Sequence, residues 1–212
     1  MSRPRTVRRR RLPAAALAAV ALTALPAASA TAAPAAPRSS TASATAHRAA
    51  PRAAANSLDI AMQAQENSNW CWAGSGSTIA AWFGRNYSQN QFCNAAFGRP
   101  QNTDCPNDQA TLGNVQNAFD WMGLNPGSYV SGYLNYATVR GEIDARRPVE
   151  TRIQWASGGG HMHVLYGYDA DRNWVRWGDP WPSNNRYNWG DYGYYVNGSD
   201  FSWTHSLYRI GA

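Results

Sequence analysis

All ten tryptophans of this 212-residue chain lie after residue 55, which limits where a folded core can form. Residues 31–55 consist almost wholly of Ala, Pro, Ser, Thr and Arg. Such a segment cannot bury enough apolar surface to offset the entropy lost on ordering. Residues 56–212, in contrast, are numerous enough for one domain with its own hydrophobic core. We therefore predict a disordered pro-segment or linker at residues 31–55, followed by a single folded domain at residues 56–212.

The first thirty residues have the pattern of an export signal. An arginine-rich head precedes an Ala/Leu/Val run at residues 12–25, and residues 28–30 offer a small-residue cleavage site. The apolar run is too short to cross a bilayer. We therefore predict that residues 1–30 are a signal peptide and that the protein is secreted, with no membrane attachment after signal removal. Both the Sec and the twin-arginine routes stay open.

The net charge changes sign once the first 55 residues are set aside. Nine of the 19 basic residues precede residue 56, so the remainder has ten basic and 13 acidic residues, a formal charge of 10 − 13 = −3. The high isoelectric point therefore belongs to the leader, and nucleic-acid binding loses its electrostatic support. We expect a monomer with no nucleic-acid partner.

The folded part is predicted to be helical in its first half and to form strands in its second half. Apolar residues recur at helical spacing after Asn69, a suitable helix cap, until Gly84 ends the pattern. Helices are predicted at residues 70–83, 89–97, 111–122 and 138–145, and strands at residues 149–155, 162–168, 173–177 and 203–210. This order is typical of an α+β fold, with an N-terminal helical part packed on a C-terminal antiparallel sheet.

Cys71 lies between two tryptophans and has no obvious partner among the three cysteines. In the first turn of a helix, it would lie at the positive end of the helix dipole, which lowers the pKa of a thiol, as does a neighbouring imidazolium. A glycine run at residues 158–160 leads into His161 on a predicted strand, and Asp179 closes the next strand. A thiol, an imidazole and an orienting carboxylate are the groups required for nucleophilic thiol catalysis.

These residues give the chain a resemblance to the papain-like cysteine proteases, in particular the bacterial branch that includes secreted avirulence proteases. Gln65 lies six residues before Cys71, His161 lies six residues before the Gly167-Tyr168 pair, and Asp179 is followed by Pro180. The resemblance covers about residues 60–180. It implies a papain-like fold and a secreted cysteine endopeptidase that hydrolyses protein or peptide substrates through a thioester acyl-enzyme. It also implies Cys71, His161 and Asp179 as the catalytic triad and Gln65 as the oxyanion donor.

Three alternatives concern individual residues. His163 lies two residues after His161, on the same face of the predicted strand, so either imidazole could approach Cys71. Cys93 and Cys105 are expected to form a disulfide in the oxidising exterior, although a pair that includes Cys71 stays open. A zinc site could be drawn from the histidines, Asp179 and a cysteine, but no Cys-x2-Cys or His-Glu-x-x-His spacing occurs. We therefore expect no metal and no cofactor.

Two further functions compete with peptide hydrolysis. The same thiol chemistry serves acyl transferases, such as a transglutaminase or an amidase. Alternatively, the aromatic residues of the second half could bind carbohydrate or peptide without catalysis. We favour their use as core and as walls of a groove.

Overall fold

The computed structural model describes residues 53–212. The helices in this range are α1 (Cys71–Trp82), α2 (Gln89–Ala96), α3 (Leu112–Trp121), α4 (Tyr136–Asp144) and α5 (Tyr192–Asn197). The strands are β1 (Ala55–Ser57), β2 (Ser128–Ser131), β3 (Val149–Trp155), β4 (Gly160–Asp169), β5 (Trp174–Gly178), β6 (Tyr187–Asp191) and β7 (Phe201–Tyr208). The prediction of a helical first half and an antiparallel sheet in the second half is confirmed.

The strands form one antiparallel sheet in the order β2-β7-β3-β4-β5-β6, and β1 pairs with the far end of β4. β4 is the longest strand, and nearly all of its residues are buried. Its register on β3 places His161 opposite Ile153 and His163 opposite Thr151. The sheet therefore fixes both histidines through backbone pairing on a central strand.

Helix α1 packs against the sheet at β4, and its residues from Trp72 to Ala80 are all buried. Gly74 lets other parts of the chain approach this helix closely. A Cβ at position 74 would lie 3.0 Å from the Cβ of Pro180 and 3.3 Å from the Cα of Gln65. A glycine one turn after Cys71 thus lets the segments that carry Gln65 and Asp179 lie against the start of α1.

The other helices begin where their caps place them. Ser88 with Gln91, and Thr111 with Asn114, form capping boxes at the starts of α2 and α3. Asn135 caps α4, which therefore begins two residues before the predicted start at residue 138. β1, β2, β6 and α5 were not predicted, because each has six residues or fewer and a pattern of apolar residues too short to read.

No helix within residues 53–212 combines the length and apolarity needed to cross a membrane. The predicted signal peptide at residues 1–30 and the pro-segment up to residue 52 lie outside the described residues. The described part starts slightly inside the predicted linker, since Ala55 already pairs with Asp169 in the sheet.

Candidate active site

A cleft of about 330 Å³ lies between the start of α1 and the start of β4. Its lining includes Cys71, Arg152, Trp155, His161 and Trp181. The structure thus brings Cys71 and His161, ninety residues apart in the sequence, to one cavity.

Cys71 is the first residue of α1, and its thiol is free and half-buried. The expectation that Asn69 caps this helix is wrong. Trp70 is the cap residue, and its side chain forms no capping hydrogen bond. The Asn69 side chain instead donates to the backbone oxygen of Asn107 at 2.8 Å. The first N–H groups of α1 therefore keep no side-chain acceptor, which suits a site where negative charge develops.

His161 is tied to Asp179, which follows directly after β5. Nε2 of His161 donates to Oδ1 of Asp179 at 2.7 Å, and both side chains are buried. Asp179 Oδ1 also accepts the backbone N–H of Trp181 at 2.8 Å, and Oδ2 accepts the side-chain amide of Asn184 at 2.8 Å. Because Nε2 is used in this way, Nδ1 of His161 is the ring nitrogen left for Cys71, which lines the same cleft.

The environment of the site raises the pKa of His161 and lowers that of Asp179, so each shift favours the charged form. Burial alone would raise the pKa of Asp179, but the imidazoles of His161 and His163 outweigh it and hold that pKa well below its usual range. Burial alone would lower the pKa of His161. Its interactions with Asp179 and with Cys71 outweigh burial and raise the pKa to about 9. His161 therefore stays protonated at neutral pH.

His163 packs edge-on against His161, with ring centroids 5.0 Å apart, and is not part of the cleft lining. It is 1% exposed, and its Nε2 lies 3.6 Å from Oδ2 of Asp179, too far for a hydrogen bond. Nδ1 lies 3.4 Å from the hydroxyl of Tyr195, which shares a hydrogen bond of 2.6 Å with Thr151. Burial lowers the pKa of His163; Asp179 opposes this shift, and the neighbouring charge of His161 adds to it. This histidine is therefore neutral at neutral pH.

Gln65 is buried near α1, and its backbone N–H donates to the oxygen of Pro180 at 2.8 Å. Its side-chain Nε2 donates to the backbone oxygens of Asn67 at 2.8 Å and Ser68 at 2.9 Å. The side-chain oxygen is buried without a hydrogen-bond partner. Both amide hydrogens are thus directed at the loop before Cys71.

The loop that follows α2 covers the side of Cys71 that faces away from the sheet. A disulfide joins Cys93 to Cys105, so Cys71 stays free. The indole N–H groups on both sides of Cys71 donate to this loop, Trp70 to the oxygen of Pro106 and Trp72 to the oxygen of Asp108, each at 3.1 Å. The two tryptophans of the motif therefore attach the start of α1 to the crosslinked loop.

His161, His163 and Asp179 also form the one cluster within residues 53–212 that could hold a metal ion, with ligand atoms within 4.8 Å of one another. The hydrogen bond between His161 and Asp179 already gives both groups a partner without a metal.

Some residues of the site carry no readable sequence signal. Trp155 stacks on His161 with ring centroids 5.8 Å apart, and Trp181 meets the same imidazole edge-on at 6.4 Å. These two were expected only as groove walls. Asn184 and Arg152 belong to no motif, and only the folded chain brings them to the site.

Comparisons with known proteins agree with this geometry. The peptidase domain of Streptococcus ComA, a bi-functional ABC transporter involved in a quorum sensing pathway, superimposes with a TM-score of 0.51 at 17% identity, over 69% of this chain and 95% of that domain. At this identity the likeness concerns the fold alone. A search of curated protein sequences finds no significant match. The profile of the family described as papain-like cysteine protease AvrRpt2 matches residues 54–191.

The family match covers more than half of the chain, and together with the structural likeness it confirms two predictions, the family resemblance and the α+β papain-like fold. The protein belongs to the papain-like cysteine protease AvrRpt2 family and is a cysteine peptidase by family and fold.

Proposed function

We propose that the protein is a secreted cysteine endopeptidase with Cys71 as nucleophile, His161 as general acid and base, and Asp179 as the residue that orients His161. The observation that carries the proposal is the meeting of a free thiol at an uncapped helix start with an imidazole whose other nitrogen donates to a buried carboxylate. The disulfide between Cys93 and Cys105 and the predicted signal peptide support secretion.

The reaction follows from these contacts. His161 holds the proton that Cys71 has given up, and the thiolate attacks the carbonyl carbon of a peptide bond. The resulting oxyanion receives hydrogen bonds from the backbone N–H of Cys71 and from the side chain of Gln65. As the C–N bond breaks, His161 gives its proton to the departing amine, which leaves a thioester on Cys71. A water molecule that loses its proton to His161 then hydrolyses the thioester, and the thiol is restored.

The role of Gln65 requires a local rearrangement. Its amide now donates to Asn67 and Ser68, so one of these bonds must be exchanged for a bond to the oxyanion. We therefore propose that substrate binding turns the Gln65 side chain. Gln65→Leu is expected to lower kcat more than it raises KM, because an oxyanion donor acts mainly in the transition state.

Replacing Cys71 separates catalysis from a structural role. Cys71→Ser should lower peptide cleavage by several orders of magnitude with little change in thermal stability, since serine keeps the size of the side chain but not the nucleophilicity. Cys93→Ser is the matched control, because it removes the disulfide and should lower stability. Activity and stability that fall together in both variants would contradict a catalytic Cys71.

The competing functions are distinguished by product and by labelling. Mass spectrometry of a peptide library treated with residues 56–212 should show cleavage inside the peptides, not crosslinks or deamidation. An iodoacetamide probe should label Cys71, and His161→Ala should suppress the labelling. Absent labelling with retained peptide or carbohydrate binding would instead favour a non-catalytic binding module.

A further inference from the structure

The cleft beside Cys71 carries a permanent positive charge that the proposed reaction does not use. Arg152 lines the cleft from β3. The lining contains no Asp or Glu among the residues that the structure describes. A guanidinium is charged at every physiological pH, so the cleft keeps this positive charge whatever the state of His161.

Arg152 reaches the cleft beside a glycine that leaves room for it. Its guanidinium lies over Gly160, the residue before His161, and both residues line the cleft. A Cβ at position 160 would lie 2.6 Å from Nη2 and 2.9 Å from Cζ of Arg152. Any side chain at position 160 would therefore displace the guanidinium from its present position. Gly160, the last glycine of the 158–160 run, therefore has two roles: it leads into β4, and it leaves room for the guanidinium.

The guanidinium is held in place but not neutralised. Nη1 donates to the hydroxyl of Thr204 at 2.9 Å, and Nη2 donates to the side-chain oxygen of Gln154 at 3.1 Å. Both acceptors are uncharged, and within residues 53–212 no carboxylate forms an ion pair with Arg152. Arginine has five N–H donors, so more than half of them remain available. A charge fixed by neutral partners is pre-organised for an anion.

We propose that Arg152 binds a carboxylate of the substrate, so that the enzyme prefers peptides with a carboxylate close to the bond that is cut. The proposal rests on the proposed peptidase function. A carboxylate fits the planar guanidinium with two parallel hydrogen bonds. Two sources share this chemistry, an Asp or Glu side chain and the C-terminal carboxylate of a short product or substrate.

Matched peptides test the proposal and distinguish the sources. A peptide that the enzyme cleaves is made with Glu or with Gln at each position within four residues of the cut, and with a free or an amidated C-terminus. At one position Glu should raise kcat/KM on the order of tenfold over Gln, as expected for a charged hydrogen bond at a half-exposed site. A gain from the free C-terminus alone would assign the site to the terminal carboxylate.

Variants link the preference to the arginine. Arg152→Gln should bring the ratio of rates on the Glu and Gln peptides close to one, and Arg152→Lys should keep part of it. Arg152→Glu should reverse the preference toward a Lys peptide. The matched control is Arg176→Gln, an exposed arginine on β5 outside the cleft, which should leave the ratio as in the wild type. An unchanged ratio in Arg152→Gln, or an equal loss on both peptides, overturns the proposal.

A binding experiment keeps this inference separate from the proposed reaction. Cys71→Ala should bind the fluorescently labelled Glu peptide more tightly than the Gln peptide, and Arg152→Gln in the same background should remove the difference. If binding shows the difference and the wild type cleaves nothing, the peptidase proposal fails and the carboxylate site stands. If the wild type cleaves both peptides equally and binding shows no difference, the carboxylate site fails and the peptidase proposal stands.

Discussion

Two histidines of β4, one at its cleft end and one in the buried stretch that follows, have pKa values shifted in opposite directions. His161 lines the cleft, and its pKa is raised to about 9 because interactions with Asp179 and Cys71 outweigh burial. His163, two residues later, is sealed from solvent, and burial lowers its pKa. Both imidazoles face the same carboxylate. Only His161 forms a hydrogen bond with it, at 2.7 Å. The difference in pKa therefore comes from that bond, from the thiol and from burial, not from the strand or its register.

The contacts of His163 show what its buried position does for the site. Thr151 and Tyr195 share a hydrogen bond, and the Tyr195 hydroxyl faces Nδ1 of His163. If Tyr195 donates to Nδ1, the imidazole carries its proton on Nε2 and points an N–H at Asp179. The opposite tautomer would turn a lone pair toward a carboxylate. In that tautomer the buried histidine presents an N–H to Asp179 across 3.6 Å, a favourable electrostatic contact without a hydrogen bond.

The largest difference between the two histidines is expected in activity. His161→Ala should lower kcat/KM by about 10³- to 10⁴-fold, because it removes the general base and acid. His163→Met, which keeps a buried apolar volume, should lower it by about tenfold at most. Peptide cleavage assays on both variants, with thermal melts to check folding, measure the difference. Equal losses in two well-folded variants would break the assignment of His161 as the acid and base.

Asp179 is the carboxylate that both histidines face, so its replacement is expected to have the next largest effect on activity. Asp179→Asn should lower kcat by about 10²- to 10⁴-fold, since an amide cannot hold the imidazolium as a carboxylate does. The control is Asp171→Asn, in the exposed turn between β4 and β5. A wild-type rate in Asp179→Asn would show that His161 needs no charged partner.

The disulfide between Cys93 and Cys105 holds the loop that contacts the start of α1, and it can be removed without changing any residue of β4. Cys93→Ser should lower the free energy of unfolding by about 3 kcal/mol, the chain-entropy estimate for a loop of this length. Activity measured well below the melting temperature should fall much less than in His161→Ala. Urea unfolding under oxidising and reducing conditions checks the first statement, because reduction should bring the wild type to the stability of the variant.

The sequence was sufficient for the elements whose signals are local. Helices α2 and α3 begin directly after the caps Ser88 and Thr111, and a polar cap followed by apolar spacing predicts such starts well. The cap of α1 was predicted wrongly. Asn69 is a good cap by residue type, yet its side chain bonds to Asn107 in a distant loop. Local preference decides an element until a partner far away in the chain competes for the same side chain.

The candidate site could be predicted only as far as spacing carries information. Cys71, His161 and Asp179 were each predicted from local patterns, and the folded chain brings them together. The spacing of His161 to Gly167 and the glycine run before it favoured His161, but His163 stayed an alternative, because residues two apart on a strand share a face. The difference in pKa between the two histidines depends on Cys71, on Asp179 and on burial, which come together only in the folded chain.

The smallest expected effect is on the pH dependence of stability, where the two histidines should act in opposite directions. The pKa of His161 is higher in the folded state, about 9, than its ordinary value of 6.5. Its contribution is therefore fully present below pH 6.5 and is lost as the pH rises through 9. The pKa of His163 is lower in the folded state, so its burial costs stability as the pH falls below 6.5. Stability should thus be highest near pH 6.5.

Urea unfolding between pH 5 and pH 9.5 tests this pair of slopes. His161→Gln should flatten the fall between pH 6.5 and pH 9, whose slope for one proton is at most about 1.4 kcal/mol per pH unit. His163→Gln should leave that fall in place and flatten part of the decline below pH 6.5. The acid limb should not vanish, because the pKa of Asp179 is lowered by folding and its contribution is also lost in acid. If both variants keep the alkaline fall, the raised pKa does not belong to His161, and the contrast between the two histidines is not electrostatic.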